Sequence, residues 1–439
     1  MILAKGRLWD SGRQDEILSG LEAYINRIRS TKRLPRETVI RAVDALGKRL
    51  EAGEFDAQLV DLLGAADARR IKAEAALAMR REALEYRCGL ELGDTEEAAL
   101  PVFGEGGIRV RARLEPLGTI LHIAAGNADG LAAFSAFEGL LTGNFNIVKL
   151  PSADNGLTLT ILEKLIEEEP ELADFLAVFD TPSSDTAAIG KMAAMADGIA
   201  VWGGDEAIRA VRAAASPGVK LIEWGHRLGF AYLSGYRDRE EEYAALARHI
   251  IETKQLLCSS CQVIYLDTAR MEDCEAFTAE FLPVLEKAAR EHPAADIGQQ
   301  AQLSVRTWCR RLERAAARAG GNDADRDDRG ARVYEGENCS LTVCRDSALE
   351  LSPLYGDVLV KRLPEKNLLP VLRQAKGRLQ TAGLIASDEK RERLTELLIR
   401  AGVCRVMTAG HMSAEFIGGS HDGEYPLRRY VRAVNIETE

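Results

Sequence analysis

Short apolar segments alternate with helix-length segments in the part of this chain that begins near residue 114. The first apolar segments are TILHIAA (119–125), FNIVKLP (145–151), LAVFD (176–180) and GIAVWGG (198–204). Each is long enough for one strand and too short for a helix of typical length. Strands that alternate with helices form a parallel sheet with helices on both faces. The sequence therefore predicts an α/β fold.

A second series of the same kind follows Glu223. GFAYLS (229–234) and QVIYLD (262–267) are predicted strands, and EEEYAALARHIIE (240–252) and CEAFTAEFLPVLEKAARE (274–291) are predicted helices. A chain of 439 residues is too long for one ordinary hydrophobic core, so we expect two or more domains.

The flanking parts of the chain have other patterns. Residues 1 to about 100 are rich in Ala, Leu, Arg and Glu, and their apolar positions fall at helical spacing, which predicts helices. The Gly- and Asp-rich segment 320–332 predicts a solvated loop. Near the C-terminus, RRYVRAVNIE (428–437) alternates apolar and polar residues and is expected to pair with a sheet edge.

The charge and the cysteine content exclude some classes of function. A net charge of −11 argues against nucleic acid or an anionic membrane surface as the main partner. The most apolar stretch, 117–150, is interrupted by His122, Asp129 and Glu138, so no membrane span is expected. The N-terminus lacks the apolar run of a signal peptide, and eight scattered cysteines fit a reducing compartment, so we expect a cytoplasmic protein.

Cys258 is the first candidate for chemistry, because in QLLCSSCQV it is followed by two small serines and then by a predicted strand. A nucleophilic thiol needs nearby N–H groups, a helix N-terminus or a positive charge to favour the thiolate. The alternative is a buried structural cysteine.

Cys258 and Cys261 also form a C-x-x-C pair, which leaves open a redox pair or half of a zinc site. A zinc site would need a second pair of cysteines at a similar spacing, and the spacing of Cys339 and Cys344 fits this poorly.

Glu223 and Asn127 carry the other polar groups of interest. Glu223 could act as a general base or bind a cofactor hydroxyl; the alternatives are a surface carboxylate or an ion pair with Arg227. The Asn127 amide could donate a hydrogen bond to a developing oxyanion. Its alternative is a turn residue, because Gly126–Gly130 has strong turn chemistry.

Gly203 and Gly204 stand between a predicted strand and a predicted helix, where backbone N–H groups can hold a phosphate. The glycine pair does not form a GxGxxG fingerprint. Lys149, at the end of a predicted strand, could contact a ribose or phosphate, or be an ordinary solvated lysine. His421 lies in a His-Asp-Gly sequence, for which a structural turn is the favoured interpretation.

The order and spacing of these segments resemble the aldehyde dehydrogenase superfamily, including the separation of 35 residues between Glu223 and Cys258. The resemblance is closer to the LuxC-type acyl-CoA reductases and runs from about residue 100 to the C-terminus. It rests on HIAAGN, GLLTGNFNIVKLPSAD, WGGDEA, CSSCQV, LQTAGL and HDGEYPL.

The resemblance implies an aldehyde-dehydrogenase-like α/β fold with two Rossmann-like parallel-sheet domains, a helical N-terminal region and a small sheet extension. The implied domains are a helical region (1–110), a dinucleotide-binding domain (111–228), a catalytic domain (229–405) and a C-terminal return and oligomerisation segment (406–439).

The same resemblance implies roles for the site residues. Cys258 is the implied acyl-accepting nucleophile, with its own backbone N–H and the Asn127 amide as oxyanion donors, and Glu223 is the third implied catalytic residue. The implied cofactor-binding residues are Lys149, Ser152, Gly203, Gly204, Trp224, Gly225 and Tyr355. No metal is implied.

The implied activity is reduction of an acyl-CoA to an aldehyde through an enzyme thioester, with hydride from NADPH. NADPH is favoured over NADH because Lys149-Leu-Pro-Ser-Ala lacks the glutamate of the superfamily's Lys-Pro-Ser-Glu element. The glutamate that binds the cofactor ribose in the superfamily is replaced by Pro353. The acyl group would come from CoA or from a partner acyl-activating protein, and a homo-oligomer or multienzyme complex is expected. An aldehyde dehydrogenase in the oxidising direction and a non-catalytic assembly subunit remain open.

Overall fold

The computed structural model describes residues 1–93, 97–100, 108–124, 130–151, 154–292, 332–438 and, between 301 and 316, residues 301, 304, 305, 308, 309, 312 and 316. Side chains are not described at 66, 67 and 97–99. The chain divides into two compact units. The first comprises Met1–Gly225 and Phe416–Glu439, and the second comprises His226–Glu415.

The first unit contains two sheets. One has seven strands in the order β2-β1-β7-β6-β5-β8-β9, and the other has three in the order β17-β4-β3. Strands β5 to β9 pair parallel with one another, as predicted. The strands are β1 (Ile2–Ala4), β2 (Arg7–Trp9), β3 (Glu97–Leu100), β4 (Arg109–Pro116), β5 (Thr119–Ile123), β6 (Phe145–Lys149), β7 (Leu176–Phe179), β8 (Gly198–Trp202), β9 (Lys220–Trp224) and β17 (Val431–Thr438).

The second unit contains one seven-stranded sheet in the order β12-β13-β14-β11-β10-β15-β16. Among the described strands of this sheet, only the edge strand β12 is antiparallel to its neighbour, β13. The strands are β10 (Leu228–Ser234), β11 (Cys261–Leu266), β12 (Arg332–Gly336), β13 (Cys339–Val343), β14 (Asp357–Arg362), β15 (Leu379–Ala386) and β16 (Arg405–Met407).

Helices connect these strands. In the first unit they are Gln14–Thr31, Arg36–Glu51, Asp56–Leu63, Ala65–Met79, Arg81–Leu92, Leu131–Leu141, Leu157–Glu168, Thr186–Ala194, Asp205–Ala214 and Pro426–Arg429. In the second unit they are Arg239–Thr253, Met271–Glu291, Glu365–Leu372 and Asp388–Ala401. Short 3-10 turns lie at Ser11–Arg13, Pro170–Phe175, Arg373–Ala375 and Ala409–His411.

The central strands of the second unit are buried on both faces, which explains their continuous apolar sequences. In β10, Ala231 and Leu233 pack in one hydrophobic cluster and Phe230 and Tyr232 in another. The first cluster includes helix Met271–Glu291 residues, and the second includes residues of Asp388–Ala401. Two helical layers therefore cover this sheet.

The prediction that residues 1 to about 100 are helical is confirmed by the five helices from Gln14 to Leu92 and wrong at both ends of that region. The chain begins with a hairpin in which β1 pairs antiparallel with β2 and with β7. Lys5 and Gly6 form the turn with φ of 55° and 69°, the left-handed geometry that a two-residue hairpin requires. Strand β3 follows the last N-terminal helix.

The C-terminal segment is a strand, as its alternation predicted. β17 pairs antiparallel with β4 from Val431 opposite Pro116 to Thr438 opposite Arg109. Most of the predicted loop at 320–332 lies outside the described residues. The domain boundaries drawn from the sequence stay predictions; the N-terminal helices belong to the same compact unit as the first sheet.

Candidate active site

In the first unit, the predicted cofactor residues lie along one edge of the parallel strands. β6 ends at Lys149, β8 ends just before Gly203, and β9 ends at Trp224. The chain passes from β5 through β6 to β7 on one side of the sheet and then through β8 to β9 on the other. This reversal makes the carboxyl ends of β5 and β8 a topological switch point, where α/β sheets bind their ligands.

Lys149 supplies positive charge at this edge. Its side chain is buried, and its Nζ donates a hydrogen bond to Ser183 Oγ at 2.8 Å. Burial lowers the pKa of this ammonium below its usual value. Among the described residues, no carboxylate offsets this effect of burial on the Lys149 pKa. A buried cation without a carboxylate is suited to an anionic ligand.

Gly203 and Gly204 connect β8 to helix Asp205–Ala214. The Gly203 N–H donates to Trp224 O at 3.2 Å, and Gly204 is the N-cap, without a capping side chain. A Cβ built on Gly204 would meet no atom within 4 Å, so space is open above this backbone. Asp205 and Glu206 place negative charge in the first turn, which opposes the attraction of an anion to this helix N-terminus.

Three rings pack together beside this turn. Trp202, Trp224 and His421 have centroid separations of 5.4, 5.0 and 4.9 Å. His421 lies in a tight turn in which it exchanges two backbone hydrogen bonds with Glu424, both of 2.9 Å. The structural-turn interpretation of His421 is therefore confirmed, and its ring anchors the C-terminal segment to the ends of β8 and β9.

A buried polar network supports Trp202. Its Nε1 donates to Ser135 Oγ at 3.1 Å, and the same hydroxyl lies 2.7 Å from His122 Nδ1. His122 Nε2 lies 2.9 Å from Asn146 Oδ1, and the ring stacks on Tyr430. Burial lowers the pKa of His122 to about 4, so the imidazole is neutral at physiological pH.

Glu223 forms a bidentate ion pair within the first unit. Arg212 Nε and Nη2 donate to its two oxygens at 2.5 and 2.6 Å. Glu223 therefore forms an ion pair, but with Arg212 and not with Arg227 as one alternative predicted. The pair holds β9 to helix Asp205–Ala214, and the catalytic role of Glu223 stays a prediction.

In the second unit, Cys258 lies at the tip of a tight turn at the amino end of β11. The Ser260 N–H donates to Leu257 O at 3.0 Å, and the Leu257 N–H donates to Ser260 Oγ at 3.2 Å. The turn places Cys258 partly exposed to solvent, and its Sγ accepts a hydrogen bond from Gln380 Nε2 at 3.0 Å. A partly exposed thiol on a fixed turn is suited to nucleophilic attack.

The second cysteine of the C-x-x-C pair has a different environment. Cys261 begins β11 in the hydrophobic core, and complete burial raises the pKa of its thiol to about 12. Its Sγ lies 3.5 Å from Val263 O. Cys261 is therefore a structural thiol, and the geometry does not favour a redox pair with Cys258.

Two backbone segments with left-handed residues hold the nucleophile turn. Lys254 and Gln255 have φ of 52° and 62°, and Leu354, Tyr355 and Gly356 have φ of 69°, 52° and 85°. The Tyr355 N–H donates to Lys254 O at 3.0 Å, which joins the segments. Non-glycine residues in this region cost about 1–3 kcal/mol each, so surrounding contacts must hold them in place.

Two buried glutamines supply those contacts. Gln255 Oε1 accepts from the Gly356 N–H at 3.0 Å, and its Nε2 lies 2.9 Å from Ser352 Oγ and 3.0 Å from Cys261 O. Gln262 Nε2 donates to Gln255 O at 2.7 Å, and its Oε1 accepts from Ser352 Oγ at 2.7 Å. This network fixes the chain just before Cys258.

Gly229 of β10 lies directly beneath the nucleophile turn. A Cβ at this position would lie 2.5 Å from Ser260 O and 2.8 Å from Ser259 O. Its backbone φ is not in the left-handed region, so glycine is required here for space alone. The close approach sets the height of the turn above the sheet.

The predicted site residues thus fall into two groups, one in each unit. Lys149, Gly203, Gly204 and the Glu223–Gly225 segment belong to the first, and Cys258 and Tyr355 to the second. Asn127 and Ser152 lie outside the described residues.

The contacts made by Gly229 and Gln380 were not predicted from the sequence. Gln380 had one sequence signal, because LQTAGL places two polar residues inside a strand that is otherwise apolar and buried.

Residues 32–433 match the family described as acyl-CoA reductase (LuxC). The chain belongs to this LuxC family. The long-chain acyl-protein thioester reductase of Aliivibrio fischeri is 23% identical over 332 residues, which cover 74% of this chain and 65% of that protein. The reductase of the same description from Vibrio harveyi is 25% identical over 354 residues, which cover 79% and 69%. This LuxC-family chain therefore matches just under two thirds of the A. fischeri protein.

Solved structures show that the LuxC-family chain has the aldehyde dehydrogenase fold, as predicted. An NAD-dependent benzaldehyde dehydrogenase from Corynebacterium glutamicum has a TM-score of 0.67 at 15% identity, covering 99% of this chain and 91% of that one. A bifunctional proline utilization A protein has a TM-score of 0.72 at 17% identity, covering 98% and 45%. Across the described part of the chain, no helix is both long and apolar enough to cross a membrane.

Proposed function

We propose that this chain is an acyl reductase that takes an acyl group from a thioester donor onto Cys258 and releases it as an aldehyde. The observation that carries the proposal is the geometry of Cys258, which lies partly exposed at the tip of a rigid turn with an amide N–H at its sulfur. Membership of the LuxC family and the names of the relatives support the reaction class.

The first unit fits a nicotinamide dinucleotide. The buried ammonium of Lys149 and the open backbone at Gly204 lie at the switch-point edge of the parallel sheet. Lys149, Ser152, Gly203 and Gly204 would hold its phosphates and ribose, and Trp224, Gly225 and Tyr355 remain candidate contacts. When bound, a reduced nicotinamide would supply a hydride. We propose NADPH, with NADH as the alternative.

The residues of the chain account for the acyl transfer. The Cys258 thiolate forms a C–S bond to the acyl carbonyl, and the bond between that carbonyl and the donor sulfur breaks. The donor leaves as a thiolate with the electron pair and takes a proton from solvent. The Cys258 backbone N–H and the Asn127 amide are the proposed oxyanion donors during this step. Release of the aldehyde restores the Cys258 thiolate.

An apolar surface next to Cys258 supports an acyl chain as the substrate. Leu256 and Leu257, which directly precede the nucleophile, are 45% and 42% exposed. Exposed leucines beside a catalytic group indicate an apolar ligand, since each buried methylene group contributes about 0.8 kcal/mol. We propose a long-chain acyl group, delivered by CoA or by an acyl-carrying partner protein, with a homo-oligomer or multienzyme complex as the working form.

Mass spectrometry of Cys258 tests the proposal. The protein is incubated with a long-chain acyl-CoA, and a covalent acyl adduct on the Cys258 peptide is expected in wild type and not in Cys258→Ala. Addition of NADPH should remove the adduct and release aldehyde, with loss of the absorbance of the reduced nicotinamide. Oxidation of aldehyde with NAD and no acylation from acyl-CoA would support a dehydrogenase instead. Absence of both reactions would support a non-catalytic assembly subunit.

A further inference from the structure

Gln380 places a buried amide at the sulfur of Cys258. Its side chain is only 3% exposed, although the residue is the second of the apolar strand β15. Its Nε2 donates to Cys258 Sγ at 3.0 Å, and its Oε1 accepts from Thr381 Oγ1 at 3.3 Å. The Thr381 hydroxyl therefore fixes the orientation of the amide so that the N–H side points to the sulfur.

A β-bulge explains why the Gln380 side chain reaches the nucleophile turn. Leu228 pairs with Leu379 and Phe230 pairs with Ala382, so β15 contains one extra residue between these pairs. A bulge changes the direction of the side chains at that point and is common beside active sites. The backbone is held on the other edge as well, because the Cys404 N–H donates to Gln380 O at 3.0 Å.

We propose that Gln380 is a catalytic residue of the acyl transfer, whose amide N–H stabilises the Cys258 thiolate and aims it at the acyl carbonyl. The assignment rests on the proposed function, because it requires Cys258 to be the nucleophile. Gln380 transfers no proton, since an amide is neither acid nor base at physiological pH. The proton of the Cys258 thiol goes to solvent before the C–S bond forms.

The chemistry of the contact separates this role from simple packing. A hydrogen bond to an anion is stronger than one to a neutral group, so a donor at the sulfur favours the thiolate over the thiol. A packing role would depend on the shape of the side chain and would leave the thiol–thiolate equilibrium unchanged. Gln380→Leu removes the donor and keeps similar bulk, whereas Gln380→Glu keeps the shape and replaces the donor with a carboxylate.

The test is the pH profile of iodoacetamide alkylation at Cys258, followed by peptide mass spectrometry. In Gln380→Leu the pKa of Cys258 should rise by about one unit, which lowers alkylation near neutral pH about tenfold because the thiolate is the nucleophile. Gln380→Glu should raise this pKa further, because a carboxylate repels the thiolate. The exposed Cys309 in the same digests is the internal control, and its profile should not change.

Acylation by a long-chain acyl-CoA is measured on the same variants. It should slow in parallel with alkylation in both variants, and thermal unfolding reports whether each variant is folded. If either folded variant keeps the wild-type alkylation profile and acylates normally, the assignment of Gln380 is overturned and the proposed function stands. If wild-type Cys258 takes no acyl group, the proposed function and this assignment both fail.

Discussion

Substitution of Gly229 by alanine should displace the nucleophile turn while leaving the second unit folded. The new Cβ would lie 2.5 Å from Ser260 O, and ordinary contact begins at 3.4 Å, so the turn must move by about 0.9 Å. Overpacking of this size typically costs about 1–3 kcal/mol, which is less than the free energy of unfolding of an ordinary domain. We therefore expect a folded protein with a shifted Cys258.

The shift should also lower the rate of acyl transfer. Misplacement of a reacting group by about 1 Å can lower the rate about 10²-fold. The assay is the single-turnover rate of acyl adduct formation on Cys258, measured by intact-protein mass spectrometry. Urea unfolding at the same pH gives the accompanying loss in the free energy of unfolding.

Gly20→Ala is the matched control. A Cβ at Gly20 would meet no atom within 4 Å, and this residue lies inside helix Gln14–Thr31. The control should stabilise the protein by about 0.5–1 kcal/mol and leave acylation unchanged. Wild-type acylation in Gly229→Ala would refute the reasoning, because it would mean that the turn does not need its present height above β10.

Three further predictions concern the cofactor, the acyl chain and pH. Lys149→Met should raise the KM for NADPH about tenfold or more with a smaller change in kcat, as measured by steady-state kinetics; an unchanged KM would remove Lys149 from the cofactor site. Leu257→Ser should slow acylation by a long-chain acyl-CoA and leave acylation by acetyl-CoA within about threefold, and equal effects on both donors would contradict an apolar contact. His249 is buried, its pKa is lowered to about 4, and its Nε2 has no hydrogen-bond partner among the described residues. The unfolded pKa is about 6.5, so the free energy of unfolding of wild type should fall as the pH falls below that value, with a slope that approaches about 1.4 kcal/mol per pH unit. In urea unfolding, His249→Leu should therefore gain about 1.5 kcal/mol in stability relative to wild type between pH 6.5 and pH 5. A difference that stays constant over this range would contradict the prediction.

The sheets could be predicted from the sequence because their central strands are buried on both faces. GFAYLS and QVIYLD are continuous apolar segments, and they correspond to β10 and β11. The helix between them has a start signal with a local cause: the Asp238 side chain accepts from the Glu241 N–H at the beginning of helix Arg239–Thr253. The spacing of apolar residues, the length of a segment and its capping residues are local properties, so they can be read from the sequence alone.

The N-terminal hairpin could not be predicted in the same way. Strands β1 and β2 have three residues each, and their apolar residues merge with the helical pattern that follows. What makes Ile2–Ala4 a strand is its pairing with β7, more than 170 residues later. Only Lys5-Gly6 gave a local signal, since glycine readily adopts the positive φ of a tight hairpin turn.

In the candidate site, too, some features follow from neighbouring residues in the sequence and others from contacts between residues far apart in the chain. Cys258 could be predicted as a candidate nucleophile from its neighbours and from the resemblance, and the structure places it on a turn. The direction of the Gln380 side chain depends on a register shift between β10 and β15, which no spacing within LQTAGL contains. The partner of Glu223 was also wrong from sequence, because Arg212 reaches it through the packing of a helix against β9.

The insertion of the second unit within the sequence of the first has a consequence for biosynthesis. At about 5–20 residues per second, a ribosome spends roughly 10–40 s on the 190 residues from His226 to Glu415 before it makes the segment that contains β17. Until then the nascent first unit lacks Tyr430, which stacks on His122, and the Leu427 N–H that the Glu91 carboxylate binds. During that interval its apolar surface is open to chaperones and proteases, whereas the second unit can fold as soon as it leaves the exit tunnel.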